Sequence, residues 1–316
     1  MPSTLEEAFL QKNPKKKLVI GVAIDGSNIS DKALATACSF YNAARGDRLV
    51  ILHVSDSSKT FLPRHLQPKH LESQYVDKAH SLKARADWAC REKGQGSSTC
   101  QTLMALAQEQ HVDLLVVGSF GRKGERVDML GTVSDYSLRE GHSSVAIVRS
   151  SAGTSTPGSH HYMFATDGSR AAAVAYLTLC YQLVKPGDRV LLVSCSYEHQ
   201  PASGPDFFKN YTAVAEKLKI PLETLSWRVE RAQSVSTGLL QLVGLKEVDT
   251  LVCGIAGYSQ KKLGSVSDEI THHALCNTIV IKDAHEVLSH QFNTAGARGI
   301  SDAILPAGTP RQQLKV

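Results

Sequence analysis

The residues of this chain best suited to chemistry lie between Gly118 and Thr132. They read Gly-Ser-Phe-Gly, nine residues from Arg122 to Leu130, then Gly131-Thr132. An apolar run, Leu114-Leu115-Val116-Val117, comes before them, and the helix-competent segment Val133–Glu140 follows. Glycines at a strand end let a backbone approach an anion closely. A helix start offers free N–H groups and the positive end of a dipole. Together they suit phosphate. Arg122, Lys123 and Arg126 lie in the intervening loop, either closing over the phosphates or simply solvated. Asp25, in Asp25-Gly26-Ser27 at the end of another apolar run, supplies acceptors for ribose hydroxyls or an adenine amine.

Those residues need a frame, and the chain repeats the frame. Leu18–Ser27 (LVIGVAIDGS) aligns with His160–Ser169 (HHYMFATDGS). Gly46-Asp47-Arg48 aligns with Gly187-Asp188-Arg189, Val112-Asp113 with Val248-Asp249, and Gly131-Thr132-Val133-Ser134-Asp135 with Gly264-Ser265-Val266-Ser267-Asp268. Val145–Val148 aligns with Thr278–Ile281. The offset drifts from 142 to 133, so loops differ while the elements keep their order. A period that long indicates duplicated domains, not a solenoid. In each copy continuous apolar strands alternate with helices, which predicts an open parallel α/β sheet covered on both faces. Ligands of such sheets sit at the carboxyl ends of the strands, where the strand order reverses.

The two copies are expected to differ. Leu222–Val229 makes a strand in the second copy. The first copy has Gly94–Cys100 at that place, which is loop chemistry, and a helical stretch is expected over His80–Glu92. The first sheet is therefore expected to have a reduced or absent third strand, with Ser55–His70 covering the edge. The boundaries read as a tail over 1–15, a first domain over 16–149, a linker over 150–159, a second domain over 160–282 and a C-terminal tail over 283–316. A short helix is expected near Ala284–Phe292.

At 316 residues the chain has room for two domains. A net charge of +5 is mild for this length and argues against a dedicated nucleic-acid binder. Part of that charge is the run Lys12 and Lys15-Lys16-Lys17, read as solvated. Seven widely spaced cysteines without a C-x-x-C suggest reduced thiols in the cytoplasm. No run is apolar for long enough to span a membrane, and no secretory leader is evident. Walker A and dinucleotide fingerprints are absent. His160-His161 and His272-His273 lack further ligands at metal spacing, and no nucleophilic triad assembles.

Gly118-x2-Gly121-x9-Gly131-Thr132, with Asp25-Gly26-Ser27 at the first strand end and the duplicated strand–helix order, resembles the universal stress protein family and, more closely, its ATP-binding branch. The resemblance covers roughly residues 16–149 and again 160–282. It implies sheets of strand order 3-2-1-4-5, with adenine near Asp25 and the backbone around His53-Val54. Ribose and phosphates would lie along Gly118, Gly121, Gly131 and Thr132, with a backbone contact from Val133. It implies ATP, with or without Mg2+, as the ligand. It also implies pairing through the last strands, Val145–Val148 with Ile279–Ile281, as an intramolecular pseudo-dimer. The second copy departs: Gly254-x2-Gly257 is followed by only six residues before Gly264-Ser265, so a degenerate site is expected there. No base or metal-ligand set for fast phosphoryl transfer is evident. The expected function is an ATP-binding regulatory module of a stress response, with at most slow hydrolysis or self-phosphorylation at Thr132 or Ser134. The alternative is a ligand-free pseudo-dimeric interaction scaffold.

Overall fold

A computed structural model of the protein describes residues 4–12, 17–58, 63–124, 129–152, 159–200, 202–255 and 263–282. Along the first half run α1 (Leu5–Lys12), β1 (Val19–Ala23), α2 (Asn28–Phe40), β2 (Arg48–Ser55), α3 (Pro68–Ser81), β3 (Ala86–Glu92), α4 (Thr99–Glu109), β4 (Leu114–Gly118), α5 (Thr132–Glu140) and β5 (Ser144–Val148). The second half runs β6 (His161–Thr166), α6 (Arg170–Thr178), β7 (Arg189–Tyr197), α7 (Pro205–Leu218), β8 (Leu222–Val229), α8 (Val235–Leu245), β9 (Thr250–Gly254), α9 (Ser265–His273) and β10 (Asn277–Ile281). All ten strands form one sheet, in the order β3-β2-β1-β4-β5-β10-β9-β6-β7-β8. Each half has the expected order 3-2-1-4-5. Pairing is parallel within each half, and the halves join where β10 runs antiparallel to β5, with Ile279 opposite Ala146.

Helices cover both faces, so the central strands are apolar on both sides. Ile20, Val22 and Phe164 pack under α2, α3, α6 and α7, while Leu52, Val145 and Leu191 pack under α4, α5, α8 and α9. Each layer runs through both halves. The repeated acidic residues stitch the sheet's lower ends. Asp47 accepts the N–H of Leu18 at 2.9 Å, and its counterpart Asp188 accepts that of His160 at 3.0 Å. Asp113 accepts the N–H of Val19 at 2.7 Å, and its counterpart Asp249 that of His161 at 2.8 Å. These aspartates owe their place in the repeat to strand initiation.

The expectation of a reduced or absent third strand is corrected. β3 pairs with β2 over seven positions, from Leu49 opposite Ala86 to Ser55 opposite Glu92. The helix expected over His80–Glu92 instead starts at Pro68 and ends at Ser81. β3 is an edge strand with both faces partly exposed, so Ala-Asp-Trp-Ala-Cys-Arg-Glu carries no continuous apolar run. Its identity comes from the partner it pairs with, since strand preference depends on context. Gly94–Ser98 is indeed a loop. It leads into α4, where Ser98 and Gln101 form a capping box. α2 also stops earlier than its apolar spacing suggests, at Phe40, and a 3-10 turn over Ala43–Arg45 carries the chain to Gly46.

Candidate functional site

The strand order reverses between β1 and β4, and a cavity of about 880 Å³ opens at their carboxyl ends. Asp25, Val54, Gly118, Gly121, Arg122, Gly131, Thr132 and Val133 all line it. Residues a hundred positions apart thus meet in one crevice because β1, β2 and β4 are neighbours. Arg126 lies outside the described residues.

The glycines are where a side chain has no room. A Cβ on Gly121 would sit 2.7 Å from Asp25 Oδ2, and one on Gly131 would sit 3.1 Å from the Phe120 Cα. Asp25 ties the site together. Its Oδ1 accepts the Ser27 N–H and the Ser30 hydroxyl, each at 3.0 Å. Its Oδ2 accepts the Arg122 N–H at 3.2 Å, with the guanidinium 3.8 Å away. The carboxylate therefore anchors the glycine loop, with Oδ2 at the cavity. α5 starts at Gly131 with no side-chain cap, which leaves its first N–H groups for an anion. Thr132 is exposed at that start. Ser134 is buried and donates to the Gly118 carbonyl at 2.6 Å. The counterpart Ser267 donates to Gly254 at 2.8 Å, so the bond is part of the repeated frame.

Glu92 and the role of the His53 side chain were not anticipated, because both depend on β3. Glu92, at its end, accepts hydrogen bonds from the Ser55 hydroxyl and, at 2.5 Å, from the Ser57 N–H, and these hold its carboxyl below the ordinary value. Lys93 pairs with Asp56 at 2.8 Å. His53 is buried, its ring stacked on Trp88 with centroids 5.8 Å apart. Nδ1–H donates to the Ile24 carbonyl at 3.0 Å, since a carbonyl can only accept. Burial pushes the imidazole below its ordinary value, partly offset by that bond and by Asp25. His53 and Glu92 flank the second strand end, the place expected to hold the adenine.

The second half differs. Asp167 is exposed and accepts the Ser169 N–H at 2.9 Å. A Cβ on Gly254 would meet the Ala171 backbone at 3.2 Å, so α6 lies tight against β9. Gly257 and the shortened loop, with Lys261-Lys262, lie outside the described residues, as does Ala284–Phe292. His160 turns to the Thr250 hydroxyl at 2.8 Å and His161 to the Glu247 carbonyl at 3.3 Å. Asp135, Asp268 and His272 converge within 4.8 Å of one another, and Arg139 already donates to both carboxylates at 2.8 Å.

Comparisons with known proteins bear on the fold. The comparison with curated proteins returned no match. Among solved structures, a universal stress protein from Archaeoglobus fulgidus DSM 4304 is 14% identical with a TM-score of 0.56, over 85% of this chain and 98% of that one. A functionally unknown protein from Pseudomonas aeruginosa PAO1 is 13% identical with a TM-score of 0.56, over 86% of this chain and 95% of that one. Likeness at this identity speaks for the fold alone. The model of the universal stress protein family matches residues 18–149, which places a domain of that family on the half of the chain that holds the cavity.

Proposed function

We propose that residues 16–149 form an adenine-nucleotide-binding domain, with ATP as ligand, and that residues 160–282 form a second domain of the same build whose site is degenerate. In this reading the protein is a nucleotide-dependent regulatory module of a stress response in the cytoplasm, with at most slow turnover. The observation that carries the reading is the convergence of Asp25, the glycines Gly118, Gly121 and Gly131, and an uncapped helix start on one cavity. Its volume of about 880 Å³ is within the roughly 300–1,000 Å³ of small-molecule sites. Phosphates fit the α5 start and the Gly118–Gly121 turn, where a Cβ would collide with Ile29 or with Asp25. The base fits the apolar ledge of Val54 and Leu103. Mg2+ would be held mainly by phosphate oxygens, with the exposed Thr132 hydroxyl near them. Thr132 is also the accessible hydroxyl for self-phosphorylation, whereas Ser134 is spent on Gly118.

Mass spectrometry of gently purified protein should find retained ATP or AMP, and millimolar Mg-ATP should raise the melting temperature. Absence of both would favour the ligand-free scaffold. Asp25→Ala should abolish the thermal shift, and an unchanged shift would refute the placement.

A further inference from the structure

A second cavity, of about 420 Å³, lies between the lower end of the first half's sheet and α6 of the second half. Its wall is largely apolar, with Leu5 and Phe9 of α1, Met104 and Ala107 of α4, and Val174 of α6. Among the polar side chains of that wall, Gln182 and Lys282 offer donors to the cavity. Gln182 is only 5% exposed and lines the cavity, and its amide has no hydrogen-bond partner among the described residues. Its place in the backbone is also unusual. It sits in a π-helical turn, Leu179–Leu183, that continues α6. Such turns recur at functional positions. The corresponding helix in the first half, α2, has none. The second side chain is Lys282, directly after β10. Its ammonium donates to the carbonyls of Ser137 at 2.8 Å and Gly141 at 2.7 Å, so one N–H remains. Burial lowers it to about 8. The other charged or titratable groups on the wall are His111, His142 and Asp113, and Asp113 is engaged with the Val19 N–H.

We propose that this cavity binds a small amphipathic carboxylate, its apolar body against α1, α4 and α6 and its carboxylate accepting from the Gln182 amide and the free N–H of Lys282. Two donors, one of them an ammonium, favour an anionic head, and Asp113, the carboxylate of the wall, is already engaged with the Val19 N–H. The apolar wall selects a hydrocarbon or aromatic tail. The ligand would bridge the two halves, since each contributes one wall.

Methionine methyl NMR reads this directly. The chain has four methionines. Met104 lines this cavity, Met129 lines the cavity at the glycine loop, and Met163 is fully buried in β6. Titrating decanoate into the full chain should move the Met104 signal saturably and leave Met129 and Met163 in place. Gln182→Leu, which removes the unpaired amide, should fold normally and weaken binding at least tenfold. Lys282→Met should weaken it further. A Met104 signal unmoved by millimolar decanoate would overturn the proposal. So would equal affinity in both variants, or non-saturating shifts of all the methyl signals.

Discussion

At the residue scale, Gly121 is the sharpest test of the glycine loop. It does not adopt a positive φ, so a side chain there is not strained by the backbone; the difficulty is Asp25 Oδ2, 2.7 Å from a Cβ. Gly121→Val should therefore fold and lose the thermal shift given by Mg-ATP, whereas Gly124→Ala, with nothing within 4 Å but a φ of +81°, should cost about 1 kcal/mol and keep it. A shift retained in Gly121→Val would displace the phosphates from this turn. The buried histidines make a second prediction. Burial lowers His53, His160 and His161 below the ordinary 6.5. Just below that pH the unfolded chain binds protons that the native chain does not. Stability is then full above about 6.5 and falls as the pH drops. The urea midpoint should decline between about pH 7 and 5, less steeply in His53→Gln. A parallel decline in the variant would remove His53 from the account. The glycines and Asp25 were legible in the sequence because residue type and spacing alone define them. Only the backbone at His53 was expected at the site; the role of its side chain and that of Glu92 were not legible, because they depend on a neighbouring edge strand and on Trp88.

At the element scale, the strands with continuous apolar runs declared themselves, and Leu222–Val229 was legible to the residue. β3 was not, since its exposed faces tolerate Asp87, Arg91 and Glu92 and leave only its partner to define it. The junction of the halves depends on reciprocal helix caps that no local pattern announces. Arg149, just after β5, donates to the Thr271 and His272 carbonyls that end α9. Lys282, just after β10, donates to the Ser137 and Gly141 carbonyls at the end of α5. Each last strand thus closes the last helix of the opposite half. Cations at helix carboxyl ends also meet the negative end of the dipole. Arg149→Met should strand buried carbonyls and cost about 1–3 kcal/mol in urea unfolding, by the usual penalty for lost charged donors. A loss below about 0.5 kcal/mol would make the caps incidental.

At the scale of the whole molecule, the repeat disclosed two similar halves but not how tightly they are joined. α1, outside the repeat, crosses to the second half. Leu5 and Phe9 are buried in the layer that holds α6, and Glu6 accepts from Lys217 at 3.0 Å and from the Tyr181 hydroxyl. Among the described residues the only antiparallel pairing of the sheet is the β5–β10 seam, and every residue of both strands is buried. Removing the second half would therefore bare an apolar strand edge, and such edges recruit another strand. The nearest replacement for β10 is β5 of a second copy, because β5 and β10 are counterparts in the repeat and an antiparallel two-fold pairing is self-complementary. The fragment Met1–Ala152 should then form a homodimer, in which α1 of each copy lies across the other. Light scattering with size-exclusion chromatography distinguishes the outcomes. A dimer that separates on Val145→Lys would place the contact at β5. A stable monomer would mean that the seam is not what holds the halves together, and that the clasp of α1 on α6 carries more of the association than the strand pairing does.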